Sequence, residues 1–229
     1  MRRNGEWSAT KYIVCDDPAF VYFVIPKAGC SSVKTALAPL FGIEDRGAHP
    51  ADRENGIHAL FDRSGYQVSK PELVARRDRY RQHFKFAFVR NPWDRLFSCY
   101  SQKLTPGGQG LGRDVYAGEH LWVGMEFSDF ARAVCRVPDG QADPHFRSQH
   151  VVVCEDGPNK QPMVDFVGRY ETLSDDFASV ASKLGKDLRL PHVLSSRRPT
   201  SYRDAYDKEL ARLVGERYRA DASIFGYSF

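Results

Sequence analysis

The chain reads as an α/β protein, a three-layer domain with a central, mainly parallel sheet flanked by helices, and two junctions carry that expectation. At each, an apolar run without alternation meets a basic residue and a proline, and a helical spacing of apolar residues follows. The first is FVYFVI at residues 20–25, ending in Pro26 and Lys27; the second is KFAFV at 85–89, ending in Arg90, Asn91 and Pro92. Strands that are apolar at every position suit a parallel sheet covered on both faces.

The remaining elements follow in order. After the first junction Val33, Ala36, Leu37, Leu40 and Phe41 share one helical face and Gly42 is the stop. Residues 42–82 are polar and charged, with a helix expected over 70–82 and Pro71 in its first turn. After the second junction Trp93, Leu96, Phe97 and Tyr100 recur at helical spacing and read as core. Residues 105–114 form a glycine-rich loop, and a helix is expected over 127–137. The runs 150–154 (HVVVC) and 164–171 (VDFVGRYE) are expected strands. Ser174 is read as the cap of a helix over 175–184 that stops at Gly185, and a last helix over 202–219 turns Leu210, Leu213 and Val214 inward.

Composition bounds what such a chain can do. Its 229 residues, 42% hydrophobic, suffice for one full core, so 1–229 is read as a single domain. The net charge of +4 comes from 33 basic against 29 acidic residues, a mild excess that favours anionic ligands without calling for nucleic acid. No stretch approaches the roughly 18 apolar residues of a membrane span. Five dispersed cysteines, Cys15, Cys30, Cys99, Cys135 and Cys154, do not look like a disulfide framework and suit a reducing, cytoplasmic setting.

Both junctions are read as anion sites. In Pro26-Lys27-Ala28-Gly29-Cys30-Ser31-Ser32, the glycine lets the backbone turn so that amides from Gly29 onward converge on one phosphate, with Ser31 and Ser32 adding hydroxyls. Lys27 precedes the glycine, and no G-x-x-x-x-G-K-[ST] exists, so the domain is P-loop-like without the lysine of magnesium-assisted NTP hydrolysis. At the second junction Arg90 sits where a guanidinium can grip a phosphate by two hydrogen bonds, and Ser98, about two helical turns on, brings a hydroxyl. A ligand with two separated phosphates fits the pair. Either junction taken alone could be an ordinary strand-to-helix turn.

IPKAGCSS resembles the 5′-phosphosulfate loop, and FVRNPWDRLFSCY the 3′-phosphate motif, of sulfotransferases that use 3′-phosphoadenosine 5′-phosphosulfate (PAPS). The particular resemblance is to Golgi-type carbohydrate sulfotransferases, the chondroitin, dermatan, HNK-1 and uronyl 2-O group, and their bacterial relatives. DPHFRSQ at 143–149 is similar to that group's D-x-H-W/F segment, DFVGRYETL at 165–173 to its D-F-I-G-x-x-E-x-L strand, and 218–227 to its Y-x-x-D…F-G-Y ending. The resemblance implies that Lys27 helps the 5′-phosphate leave, with Ala28, Gly29, Cys30, Ser31 and Ser32 holding it. It also implies that Arg90 and Ser98 bind the 3′-phosphate, that adenosine 3′,5′-bisphosphate (PAP) is the product, and that no metal is required. Arg197 and Arg198 are expected in a loop that can close over the nucleotide.

The acceptor would be a carbohydrate or glycoconjugate hydroxyl, which needs a base near neutral pKa. His58 is favoured as that base with His145 in acceptor contact, although each can instead be a structural histidine. Residues 42–82 and 101–148 are expected as acceptor-side insertions. His145, His150 and Cys154 have a loosely metal-like spacing, but a fourth close ligand is missing and zinc is not expected. Cys30-Ser31-Ser32 in place of C-T-N, and the lack of the Golgi enzymes' paired cysteines and anchor, point to a bacterial cytosolic member. Two other readings compete: a P-loop kinase of a nucleoside or adenylyl sulfate, and an inactive nucleotide-binding module.

Overall fold

The computed structural model describes residues 11–43, 53–157, 160–191 and 201–229, with side chains from residue 56 onward in the second stretch. Along the chain run β1 (Lys11–Asp16), β2 (Ala19–Phe23), α1 (Cys30–Leu37), α2 (Arg53–Arg63), β3 (Gln67–Ser69), α3 (Lys70–Ala75), β4 (Phe84–Val89) and α4 (Pro92–Lys103). They are followed by β5 (Val115–Tyr116), β6 (Glu119–His120), α5 (Phe127–Arg136), α6 (His150–Val153), β7 (Phe166–Arg169), α7 (Leu173–Leu184), α8 (Lys208–Arg217) and α9 (Arg219–Phe225). Two compact units emerge among the described residues: one comprises those within 11–89 and 162–191, the other those within 90–161 and 201–229. No helix among the described residues is long and apolar enough to cross a membrane.

The first unit is the α/β fold the sequence predicts. Its sheet runs β3-β1-β2-β4-β7, with β2, β4 and β7 parallel and β1 antiparallel to both β2 and β3. Alternate residues Phe20 and Tyr22 of β2 and Phe86 and Phe88 of β4 form one aromatic face, with the Tyr22 and Phe86 rings stacked at 5.1 Å. Val33 and Leu37 of α1, Ile57 and Phe61 of α2, and Phe177 and Val180 of α7 cover that face. Burying rings of this size contributes about 2–3 kcal/mol each, so the aromatic ladder is the main cohesive element of the unit. Gly168 of β7 lies opposite Phe88, and a Cβ there would come within 2.5 Å of the Phe88 ring.

The second unit is built from helices. Trp93 and Leu96 of α4, Phe130 and Val134 of α5, and Leu210 and Val214 of α8 enclose a core with Phe146 and Tyr218. The Trp93 indole N–H donates to the Ala211 carbonyl at 2.8 Å, which satisfies the one polar group its ring brings inside. Phe97 and Tyr100 pack against this core, as their spacing predicts.

Several stretches differ from the sequence expectation; α7, for one, starts at Leu173 with Thr172 at its N-cap, so Ser174 lies inside the helix and does not cap it. An antiparallel strand, β1, precedes the first expected one and pairs with it across a tight turn. The helix expected over 70–82 starts in a Ser69/Glu72 capping box but ends at Ala75. Continuing it would align Arg76, Arg77, Arg79 and Arg81 at repulsive helical spacings; Arg79 instead pairs with Asp16 at 2.9 Å. The valine run at 150–153 is a helical turn and not a strand, because the Asp221 carboxylate accepts from the Gln149 and His150 amides at 2.7 and 2.9 Å and caps it. The last helix is divided: a 3-10 turn over Tyr202–Ala205, then α8 capped by Asp207, then α9.

In the second unit Asp139 accepts from Arg217 Nη2 at 2.7 Å and from the Ser148 amide at 2.9 Å. Burial pushes its carboxyl up, but the Arg217 guanidinium and the Ser148 bonds outweigh burial and hold it below the ordinary value. A folded-state value below the unfolded one gives stability that is present above the ordinary carboxylate range and is lost as pH falls through the folded value. Asp139→Asn should therefore cost about 1–2 kcal/mol at pH 7. In urea titrations across pH, that gap should narrow below about pH 4. In the sheet, Gly168→Ala should destabilise by about 1–3 kcal/mol through overpacking against Phe88, read as a lower urea midpoint with an unchanged slope.

Candidate active site

The β2–α1 connection is a strand-to-helix turn with two left-handed residues. Lys27 has φ 68° and Gly29 has φ 79°, and Gly29 is the N-cap of α1 without a side-chain capping bond. Left-handed backbone costs an L-residue roughly 1 kcal/mol, so a lysine held there is a strained residue, and strain of this kind marks working sites. Glycine is required at 29 twice over, since a Cβ would also approach Leu173 Cδ2 to 2.6 Å. Val33 N–H bonds the Gly29 carbonyl at 3.1 Å, closing the first turn. The amides ahead of it, Cys30 to Ser32, are those for which a helix has no carbonyl of its own. An anion is the natural partner of such a terminus.

His58 lies on α2 beside this turn. Its Nε2 is 3.0 Å from Ser31 Oγ and its Nδ1 3.0 Å from Lys34 Nζ, with Cys30 Sγ at 3.9 Å. An ammonium only donates, so Nδ1 accepts from Lys34, and the network assigns the ring proton to Nε2, donated to Ser31 Oγ. The Ser31 hydroxyl then has its own proton to direct at another acceptor. Lys34 is buried, which pulls its pKa below the ordinary lysine value, and its ammonium stands 5.6 Å from the centre of the Phe61 ring.

Arg90, two residues ahead of α4, and Ser98, within it, are both buried. The Arg90 guanidinium donates through Nε and Nη2 to Asp94 Oδ2 at 2.8 and 2.7 Å, which fixes its direction. Its backbone is held as firmly. Gln149, with no exposed surface, accepts from Arg90 N–H at 2.9 Å and donates to the Arg90 carbonyl at 2.8 Å. Asn91 caps α4 by accepting from the Trp93 and Asp94 amides.

His145 belongs to the second unit and is half-buried. Its Nδ1 is 2.6 Å from Asp143 Oδ1, and its amide donates to the same oxygen at 2.9 Å. Tyr116 donates to Asp143 Oδ2 at 2.8 Å. Burial pushes the Asp143 carboxyl up, but the bonds and charge of His145 and the Tyr116 hydroxyl overcome it and hold the group far below the carboxylate range. His150 is engaged by a different carboxylate, its Nδ1 lying 2.7 Å from Asp221 Oδ1. His145 and His150 therefore face separate acids.

Lys27, Ala28, Gly29, Cys30, Ser31, Ser32 and His58 are thus brought together in the first unit, and Arg90, Ser98 and His145 lie in the second. Arg197 and Arg198 lie outside the described residues. Sequence reasoning gave no role to Lys34, nor to Gln149 and Asp221, although the last two stand in the segments 143–149 and 218–227. Lys34 was discoverable, because a lysine four residues after Cys30 shares its helical face, whereas the partner of Asp221 lies 72 residues away along the chain and no local pattern names it.

A sheet whose strand end feeds a glycine-capped helix through a strained lysine defines an anion-handling α/β protein. The chain belongs to the sulfotransferase family, whose model matches residues 10–228. It is similar to carbohydrate sulfotransferase 14 of Danio rerio, 27% identical over 94% of this chain and 61% of that protein. It is also similar to carbohydrate sulfotransferase 11 of Danio rerio, 27% identical over 96% of this chain and 68% of that protein, and to carbohydrate sulfotransferase 10 of Homo sapiens, 23% identical over 95% and 67%. The chain spans about three fifths of the first of these relatives. No solved structure matches it significantly.

Gln149→Leu should leave the Arg90 N–H and C=O buried without partners. A cost of about 2–4 kcal/mol follows, visible in urea unfolding, and Gln149→Glu, which keeps an acceptor for the Arg90 N–H but buries a carboxylate against the Arg90 carbonyl, should cost at least as much.

Proposed function

We propose that the protein transfers a sulfuryl group from PAPS to a hydroxyl of a carbohydrate or glycoconjugate, releasing PAP. The observation that carries this reading is the strained Lys27–Gly29 turn at the start of α1 in a chain that the sulfotransferase family matches almost end to end. The names of its relatives support a carbohydrate acceptor.

In this reading the α1 amides and the Ser31 and Ser32 hydroxyls hold the 5′-phosphate, with Ala28, Gly29 and Cys30 supplying backbone. Lys27 neutralises charge as the bond from sulfur to the phosphate oxygen breaks. Arg90, aimed by Asp94, and Ser98 take the 3′-phosphate, and Arg197 and Arg198 add charge to the nucleotide. The acceptor oxygen attacks sulfur in line with the departing oxygen, so positioning and fixed cations do most of the work. A histidine receives the acceptor's proton. Magnesium is not required, because fixed ammonium, guanidinium and amide groups meet the charge. We place the protein in the cytoplasm of a bacterium; the absence of any disulfide among its five cysteines supports a reducing setting.

PAP should raise the melting temperature by several degrees at 1 mM, since a ligand bound only by the folded state stabilises it, while ATP with magnesium should give little shift. Arg90→Ala should abolish most of the PAP shift, and Lys27→Ala should lower kcat at least a hundredfold with radiolabelled PAPS while PAP still binds. An equal PAP shift in Arg90→Ala would contradict the assignment.

A further inference from the structure

The positive charge of the chain is concentrated in one segment to which the proposed reaction assigns no part. Residues 70–85 carry Lys70, Arg76, Arg77, Arg79, Arg81 and Lys85 against Glu72 and Asp78, a net charge of +4. The chain's 33 basic and 29 acidic residues leave 27 of each sign outside this segment, so the whole excess of +4 belongs to it. Elsewhere surface arginines sit against glutamates, Arg132 on Glu209, Arg136 on Glu119 and Arg212 on Glu216. Within the segment the acids are few and partly taken: the Glu72 carboxylate accepts from the Ser69 amide and hydroxyl at 2.9 and 3.0 Å. Arg79 pairs with Asp16 at 2.9 Å. Arg76, Arg77 and Arg81 are exposed and make no side-chain hydrogen bond or ion pair among the described residues.

The backbone that displays these arginines is fixed. The Tyr80 N–H donates to the Arg76 carbonyl at 3.3 Å, Arg81 N–H to Asp78 at 3.4 Å and His83 N–H to Tyr80 at 3.2 Å, so turn follows turn. Tyr80 and His83 are buried with their rings edge to face at 5.2 Å, and His83 Nε2 lies 3.2 Å from Asp16 Oδ1 at the end of β1. Holding four guanidiniums within six residues costs mutual repulsion, which a ligand of repeated negative charge relieves. The composition of the turn selects among such ligands. Single-stranded nucleic acid is held by aromatic faces on which bases stack, but Tyr80, the aromatic residue inside the arginine run, is 3% exposed. A membrane surface is held by large apolar side chains beside the basic ones, and within 70–85 Val74 alone is both large, apolar and exposed. A glycan bearing sulfate groups needs only charge and paired donors, both of which a guanidinium supplies.

Resting on the reading above, in which the chain adds sulfuryl groups to a carbohydrate, we infer that the arginine turn at 76–81 is a binding surface for a sulfated, polyanionic glycan, the kind of polymer that such a reaction makes. Arg76, Arg77 and Arg81 supply the contacts. Tyr80, His83 and the Arg79–Asp16 pair hold the turn in place. The surface contributes affinity for the polymer and takes no part in binding PAP.

The test uses the full chain and a fluorescein-labelled heparin fragment followed by anisotropy, with neutral dextran, polyuridylate and phosphatidylserine/phosphatidylcholine vesicles as comparisons. The wild-type protein should bind the heparin fragment and not dextran. The triple variant Arg76→Ser, Arg77→Ser, Arg81→Ser should bind it about tenfold more weakly and with a shallower salt dependence, because fewer counterions are released. A control variant of the same net charge, Arg132→Ser, Arg136→Ser, Arg212→Ser, should keep its affinity within about twofold, since these exposed ion pairs contribute little and lie outside the turn. The melting temperature of the first variant and its shift with PAP should match wild type, which shows that the fold and the nucleotide site are intact. The inference is overturned if the first variant binds heparin as wild type does or if the control loses as much, which would make the effect one of net charge. It is also overturned if polyuridylate or the vesicles bind wild type more tightly than heparin does and lose that binding in the first variant. Failure of the underlying reading shows separately, as wild-type protein that does not bind PAP.

Discussion

The clamp of Gln149 on the backbone of Arg90 is the constraint on which the proposed second anion site depends. A strand that leaves its sheet must find new partners for its N–H and C=O groups, because burying them unpaired costs more than most single contacts return. One amide side chain meets both needs at Arg90, and Asp221 holds the Gln149 main chain in turn. Asp94 then has only the guanidinium to direct. The β2 end follows the opposite strategy. There left-handed Lys27 and Gly29 bend the chain into α1 so that helix amides come first, with no side-chain cap supplied. One strand end is satisfied by the protein; at the other, the proposed function gives the helix amides a ligand.

Proton placement follows the same economy of partners. His58, His145 and His150 each have Nδ1 within 3.0 Å of a charged group, yet the sign of that group differs. A cation at Nδ1 makes His58 a donor through Nε2, whereas a carboxylate at Nδ1 makes Nε2 of His145 basic. At His150 the Lys160 ammonium also meets the second ring nitrogen, at 3.2 Å. The residue type alone carries none of this, since the tautomer is set by the neighbour.

Local patterns made the strand-to-helix junctions legible. The unbroken apolar runs of β2 and β4, the stops at Gly42 and Gly185, and the IPKAGCSS and RNPWDRLFS segments each state their geometry within a few residues. Both glycines are left-handed caps in the structure. What stayed hidden depends on distant partners. The valines at 151–153 favour a strand by propensity, but Asp221 captures the amides in front of them and starts a helix. His145 was visible as a candidate, but its standing relative to His58 rests on Lys34, Asp143 and Tyr116, which converge on the rings only in the fold.

Lys34 and Thr35 follow Gly29 at an interval close to that of a nucleotide-hydrolysing phosphate loop, and geometry tells the two apart. Such a loop presents its lysine at the first turn of the helix, beside the phosphates, with a magnesium-binding hydroxyl next to it. Lys34 is the fifth residue of α1. Its ammonium is buried against Phe61 and bonded to His58, a place from which it supports the turn through Ser31. The cation at the turn itself is Lys27, on the strand side of the glycine and on strained backbone. In the proposed reaction a lysine there would meet the leaving group at the 5′-phosphate, the charge that sulfuryl transfer must absorb, and the order of lysine and glycine along the chain separates this turn from a kinase loop.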